Sequence, residues 1–233
     1  MSSPGPNTGA AASAPDEPRP RGVLFDIGGV LERMDDELSW LAPHAPRLGV
    51  DVAELVDVVY RQVDPDGVMA TGGVSEAEFR ERLVTALQLS DEQADAVLHD
   101  HWRWYCGELD EEMLALAVRL GTRHPIGILS NSRAGARREE ESRYRFSEHF
   151  DPILYSDEIG VAKPDPRAYL LACEQMQLAP HEVVFLDDTP ACVEGAGAAG
   201  LIASLHVDSA SSIVTLTRLL GEPSATATGV NRP

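Results

Sequence analysis

Four short stretches of this chain carry residue types that could do chemistry together. The run Val23-Leu24-Phe25 is apolar, ends at Asp26 and is followed by Ile27-Gly28-Gly29-Val30, so Asp26 sits where a buried strand gives out. A carboxylate placed there is costly unless it ligates a metal or serves as a nucleophile, because a cation or a reacting phosphorus then offsets its lost hydration. The plainer alternative is an Asp capping the next turn through a backbone N–H. Ser130-Asn131 follows a second apolar run, and its hydroxyl and N–H could bind a phosphoryl oxygen. Lys163, in Gly160-Val161-Ala162-Lys163-Pro164-Asp165-Pro166, is a cation in a loop stiffened by prolines, able to neutralise an anionic transition state. Asp187-Asp188 closes the run Val183 to Leu186, and two adjacent carboxylates repel unless a cation joins them. Singly, each has an ordinary reading: a Ser-Asn turn, a solvated Lys, an Asp pair capping the helix that begins near Thr189. All four in strand-end or loop contexts, in this order, point to one site.

The elements that must position these residues follow from periodicity. Strand-like runs at His124–Leu129, Ile153–Tyr155, Val183–Leu186 and Leu201–His206 alternate with helices expected near Pro166–Met176, Pro190–Ala199 and Ser211–Leu220. That alternation predicts an α/β fold with a doubly wound parallel sheet, a Rossmann-like core, and a site at the carboxyl ends of its strands. From Glu32 to roughly Val118 the pattern is helical, with no strand expected. Ser75-Glu76-Ala77-Glu78 and Ser90-Asp91-Glu92-Gln93 are capping boxes opening apolar faces at Phe79, Leu83 and Leu87 and at Ala94, Val97 and Leu98. A bundle of about four helices should therefore interrupt the fold that Asp26 begins. The expected division is a core at 21–32 and 119–221, a helical insertion at 33–118, and disordered tails at 1–20 and 222–233. His99, His101, Trp102, Trp104 and Tyr105 read as helix packing and its polar edge, with substrate contact as the alternative.

Composition bounds the partners. The 233 residues carry 19 Lys plus Arg against 38 Asp plus Glu, a net charge of −19, whose field repels nucleic acid and anionic membrane surfaces. An anionic small molecule is admissible only where a local lysine, backbone N–H groups and a metal offset that field. Three widely spaced cysteines, Cys106, Cys173 and Cys192, form no C-x-x-C pair and argue for reduced thiols. The first twenty residues lack the apolar h-region of about 7–15 residues that a secretory signal needs. A cytoplasmic location is the expectation.

In this order, Phe25-Asp26-Ile27-Gly28-Gly29-Val30, Leu129-Ser130-Asn131, Lys163-Pro164 and Phe185-Leu186-Asp187-Asp188-Thr189 resemble the four motifs of the haloacid dehalogenase-like superfamily, in its phosphatase branch with a small helical cap. The resemblance spans Arg21 to Leu220. It implies a hydrolase acting on a small phosphorylated metabolite, sugar phosphates among the candidates, through an aspartyl-phosphate on Asp26. It implies Mg²⁺ held by Asp26, the Gly28 carbonyl and Asp188, with Asp187 supporting the metal shell. It assigns phosphoryl binding to Ser130 and Asn131 and charge balance to Lys163. One departure stands out: where most phosphatases of the superfamily carry a second Asp as general acid, this chain has Gly28, so Glu32, Asp35 or a histidine of the insertion are the substitutes to consider. Two other classes fit parts of the pattern. A hydrolytic dehalogenase also lacks that Asp but has no use for a metal-binding Asp187-Asp188 pair, and a phosphate-ligand binder would keep the fold without turnover.

Overall fold

The computed structural model describes residues 19–36 and 38–222. β1 (Gly22–Phe25) lies at the centre of a five-stranded parallel sheet in the order β5-β4-β1-β6-β7. The chain leaves β1 through β2 (Glu32–Arg33), enters the insertion through α1 (Leu38–Leu41), α2 (Ala45–Leu48), α3 (Val52–Asp57), a π-helical turn at Val58–Gln62, α4 (Glu76–Leu87) and α5 (Asp91–Cys106), and returns through β3 (Glu108–Leu109). α6 (Glu111–Gly121), β4 (Ile126–Ser130), α7 (Ala136–Tyr144), β5 (Ile153–Tyr155), α8 (Ser156–Ile159), α9 (Pro166–Gln175), β6 (Val183–Asp187), α10 (Pro190–Ala198), β7 (Ile202–Leu205) and α11 (Ser209–Leu220) complete the core. The α/β, doubly wound reading is correct.

Alternation along β1 builds both faces of the sheet. Val23 and Phe25 enter a cluster with Met113, Leu116, Leu120, Ile128, Leu216 and Leu220, while Leu24 enters the opposite cluster with Leu129, Tyr169, Cys173, Val183 and Phe185. The insertion has its own apolar centre around Trp40, Leu41, Leu55, Phe79, Leu83 and Val97. Both expected capping boxes are present: Ser75 accepts from the Glu78 N–H while Glu78 accepts from the Ser75 N–H, and Ser90 with Gln93 repeats the exchange.

Several elements differ from expectation. Glu32–Arg33 pairs antiparallel with Glu108–Leu109, a hairpin of two-residue strands whose partners are separated by the whole insertion, too short to register as a period. The expected boundary at 118/119 falls inside α6, whose Met113, Leu116, Ala117 and Leu120 pack in the core cluster. Two of the insertion's helices are long and three are short. α7 (Ala-Arg-Arg-Glu-Glu-Glu-Ser-Arg-Tyr) and the single turn of α8 were not expected, because neither presents an apolar stripe. The expected tails at 1–20 and 222–233 fall largely on residues 1–18 and 223–233, outside the described residues. Pro20, however, is buried, and Glu222 bonds Arg123 at 2.8 Å and His124 at 3.1 Å, so the core reaches to both. All three cysteines are buried free thiols. Among the described residues no helix is long and apolar enough to cross a membrane.

Asp110 joins hairpin, α6 and α11. Its Oδ1 accepts from the Met113 N–H at 2.9 Å, capping α6, and its Oδ2 accepts from the Ser209 hydroxyl at 2.7 Å. Asp110→Ala should lower unfolding free energy by about 1–2 kcal/mol, the usual value of an N-cap, with some addition from the stranded Ser209. Urea denaturation measures it, and an unchanged midpoint would deny Asp110 this part.

Candidate active site

Asp26 is delivered by β1, and its backbone N–H donates to the Leu186 carbonyl at 2.9 Å, fixing the strand end against β6. The residue is 9% exposed. Its Oδ1 accepts from the Ile27 N–H at 2.8 Å and lies 2.8 Å from Lys163 Nζ, while Oδ2 has no hydrogen-bond partner among the described residues. Lys163 comes from the loop between α8 and α9. It is 4% exposed, and Nζ also donates to Asp187 Oδ2 at 2.6 Å. Asp187, at the end of β6, is fully buried and uses Oδ1 to accept from the Thr189 N–H. Asp188, one residue on, is exposed. The adjacent carboxylates thus face different surroundings, and Asp187's nearest cation is Lys163.

One oxygen each from Asp26, Asp187 and Asp188 lie within 4.8 Å of one another. Three carboxylates there face a single ammonium, leaving two negative charges without compensation, the electrostatics a divalent cation satisfies. Gly29 makes room for them: its φ is +74°, and a Cβ on it would stand 2.1 Å from Asp188 Oδ2. Gly28 is different. Its φ is not positive, and a Cβ there would meet only Met34 Sδ at 3.1 Å.

Ser130 ends β4, buried, with only the Asn131 carbonyl near its hydroxyl at 3.5 Å. Asn131, whose N–H is the expected phosphoryl donor alongside it, also engages the backbone of Lys163 through its side-chain amide, accepting from the Lys163 N–H at 2.8 Å and donating to the Lys163 carbonyl at 2.9 Å. It positions the lysine loop against β4.

Beside the catalytic loop lie acids that periodicity could not reveal. Glu32 is 1% exposed, neither carboxylate oxygen has a partner, and its backbone is bound into the loop through the Gly29 N–H and the Ile27 carbonyl. Burial, then Glu140, then Asp26, push it up to about 10, so it is neutral at pH 7. Glu140, on α7, accepts from Tyr155 Oη at 2.5 Å; burial raises it to about 8 and Asp26 adds to the rise. Asp26 itself is raised, first by burial and then by Asp187, with Lys163 pulling the other way. Burial opposes the charge on Lys163, but Asp26 and Asp187 outweigh it and hold the ammonium. Glu32 could be nominated from sequence as a nearby acid; Glu140 carried no signal, being one Glu among three in a polar run.

Of the insertion's polar aromatics, His101 is buried among Trp40, Phe79, Trp102, Trp104 and Tyr105, and burial with Arg133 at 3.3 Å holds it well below the usual histidine range. His99 is exposed.

A model of the haloacid dehalogenase-like hydrolase family matches residues 20–200. The chain is 28% identical over 185 residues to a phosphorylated carbohydrates phosphatase of Thermotoga maritima, spanning 77% of this chain and 81% of that one. It is 29% identical over 203 residues to a phosphoserine phosphatase of Thermus thermophilus, spanning 80% and 81%. A HAD family enzyme of Bacteroides thetaiotaomicron has the same fold, with TM-score 0.68 at 21% identity over 80% of this chain and 93% of its own; it has also been solved with magnesium and inorganic phosphate.

The folded state keeps the Glu32 proton to about pH 10, whereas the unfolded chain releases it near 4.5, so this residue costs stability increasingly as pH rises between those values. Glu32→Gln removes that dependence. The variant's stability relative to the parent should improve by up to about 1.4 kcal/mol per pH unit from pH 5 to 9. Parallel denaturant titrations across that range decide it, and a constant difference would mean that Glu32 is ionised in the fold.

Proposed function

The chain belongs to the haloacid dehalogenase-like hydrolase family, and from that premise we propose that it is a Mg²⁺-dependent phosphatase of small phosphorylated metabolites, with Asp26 as the phosphoryl acceptor. The observation that carries this reading is the convergence of oxygens of Asp26, Asp187 and Asp188 within 4.8 Å of one another, with the first two paired to one buried ammonium. A phosphate monoester is an anion and a carboxylate a weak nucleophile, so the reaction needs charge neutralisation and alignment more than basicity. Lys163 and the Ile27 N–H hold Oδ1, which turns Oδ2 toward phosphorus. The Asp26–phosphorus bond forms as the bond to the alcohol oxygen breaks, and water then cleaves the aspartyl-phosphate to inorganic phosphate and free carboxylate. Ser130 Oγ, the main chain around Asn131 and Lys163 Nζ take the phosphoryl oxygens. When bound, Mg²⁺ would supply Lewis-acid neutralisation of phosphoryl charge, held by Asp26, Asp188 and the Gly28 carbonyl with Asp187 supporting them.

The helical insertion acts as the cap that excludes water and admits the ester. It is tied to the core by Arg138, bidentate on Glu76 at 2.7 Å to each oxygen, and by Arg133, which lies over the Phe79 ring and against His101. A dehalogenase would have no need of three carboxylates crowded at the attacking oxygen, which is why the phosphatase reading is preferred.

Asp26→Asn, close to isosteric, should lower phosphate release by at least about 10³-fold while leaving the melting temperature nearly unchanged. EDTA should stop the parent enzyme and Mg²⁺ restore it. Activity that survives chelation would move the assignment to the dehalogenase class, and failure to trap phosphate on Asp26 would move it to a non-catalytic binder.

With glycine at 28 the leaving alcohol gets no proton from that position, a contribution worth about 10²–10⁴ in rate elsewhere. Esters with good leaving groups, such as aryl and anomeric phosphates, should be cleaved much faster than primary alkyl phosphates. Gly28→Asp should narrow the gap, since its backbone accepts a side chain and only the flexible end of Met34 must give way. Comparing kcat/KM on both ester classes in parent and variant tests this; equal parent rates would reveal another acid.

A further inference from the structure

A cleft of about 590 Å³ opens between the β2–β3 hairpin and helices α1 and α5, within the size range of small-molecule sites. It begins at the catalytic loop. Met34, whose Sδ is the atom a Gly28 Cβ would meet at 3.1 Å, is one of its walls, so one flexible thioether borders both the cleft and the position two residues beyond Asp26. On the insertion side it is lined by Trp40 and Trp104, stacked with centroids 5.9 Å apart and planes 28° from parallel. Trp40 is 5% exposed and, among the described residues, its indole N–H has no partner; Trp104 is fixed by donation of its indole N–H to the Asp35 carbonyl at 2.9 Å. Asp35, Glu108 and Arg103 also line it and, among the described residues, enter no ion pair, whereas Asp100 lies 3.1 Å from His44 and Arg33 3.8 Å from Asp110.

This surface selects a ligand by its chemistry. The indoles offer an apolar face, and around them stand three carboxylates that accept, Asp35, Asp100 and Glu108, and two guanidiniums that donate, Arg33 and Arg103. A second phosphate or a carboxylate on the ligand would meet an excess of carboxylates over guanidiniums, inside a chain of net charge −19. Hydroxyl groups, which both donate and accept, match both kinds of side chain without adding charge. We infer that this cleft receives the alcohol half of the ester, and that this half is an uncharged polyhydroxylated ring, a sugar lying against the Trp40–Trp104 pair. The inference rests on the phosphatase reading of Asp26; it adds the substrate class and the residues that choose it.

The test uses the full chain with Mg²⁺ and separates the two claims. Acetyl phosphate, too small to reach the indoles, reports the chemistry alone. Hexose monophosphates, O-phosphoserine and a hexose bisphosphate report the cleft. The hexose monophosphates should exceed both charged competitors at least tenfold in kcat/KM, and free hexose should quench tryptophan fluorescence saturably, since two of the three tryptophans line the cleft. Ser39→Phe, which places a ring in the cleft from an exposed position on α1, should cut the kcat/KM ratio of hexose phosphate to acetyl phosphate at least tenfold. If that variant does not fold, Arg103→Glu should lower the same ratio. Preference for phosphoserine or the bisphosphate, or no quench and an unmoved ratio while acetyl phosphate is still hydrolysed, would overturn the inference and leave the phosphatase reading standing. Quenching by hexose with no phosphate released from any ester would instead defeat the phosphatase reading and leave a sugar-binding cleft.

Discussion

A single ammonium group organises this molecule's centre. Lys163 Nζ lies 2.8 Å from Asp26 and 2.6 Å from Asp187, and all three side chains are buried or nearly so. Removing the ammonium from such a buried set would leave two carboxylates facing each other uncompensated, which typically costs about 3–5 kcal/mol, so the cation is a condition for the two strand ends to lie side by side. The surrounding fold holds it in place from several directions. β1 and β6 are adjacent and parallel, which sets the two carboxylates at neighbouring strand ends, and Asn131 at the end of β4 grips the lysine's own backbone through both of its amide atoms. Three strands and one loop thus converge on one positive charge.

That convergence explains what could be read from the chain and what could not. β1, β4 and β6 are apolar runs that end in polar residues, so both the strands and their chemical termini were legible, and with them Asp26, Ser130, Lys163 and the Asp187-Asp188 pair. α4 and α5 announced themselves through side-chain-to-backbone exchanges that are local and were found as expected. The hairpin of Glu32–Arg33 with Glu108–Leu109 was not legible, because a two-residue ladder has no period and its partner lies across the insertion. α7 was missed because Arg138, Glu139 and Glu140 give no apolar stripe; what ties it to the rest are Arg138 to Glu76 and Tyr155 to Glu140, contacts between residues far apart in the chain. A second part of Asn131 was not legible for the same reason: a Ser-Asn pair suggests phosphate binding through its hydroxyl and N–H, and only the fold shows the side-chain amide closing on Lys163.

The buried acids show how a site short of cations can keep its negative charge where the candidate metal ligands converge and not be so negative as to fall apart. Asp26, Asp187 and Asp188 already outnumber Lys163 three to one. Glu32 and Glu140 stand close enough for each to feel Asp26, and were both ionised the cluster would carry two further charges with little water to screen them. Burial resolves this by keeping their protons on at neutral pH, so the charge that remains is concentrated on the three carboxylates whose oxygens converge. The consequence is directional: a cation entering the site meets the convergent trio, while the neutral acids behind it present no competing anion. An acid of this chain that is spared ionisation therefore serves the site by the charge it withholds, at the expense of a stability that falls as the solution becomes more alkaline.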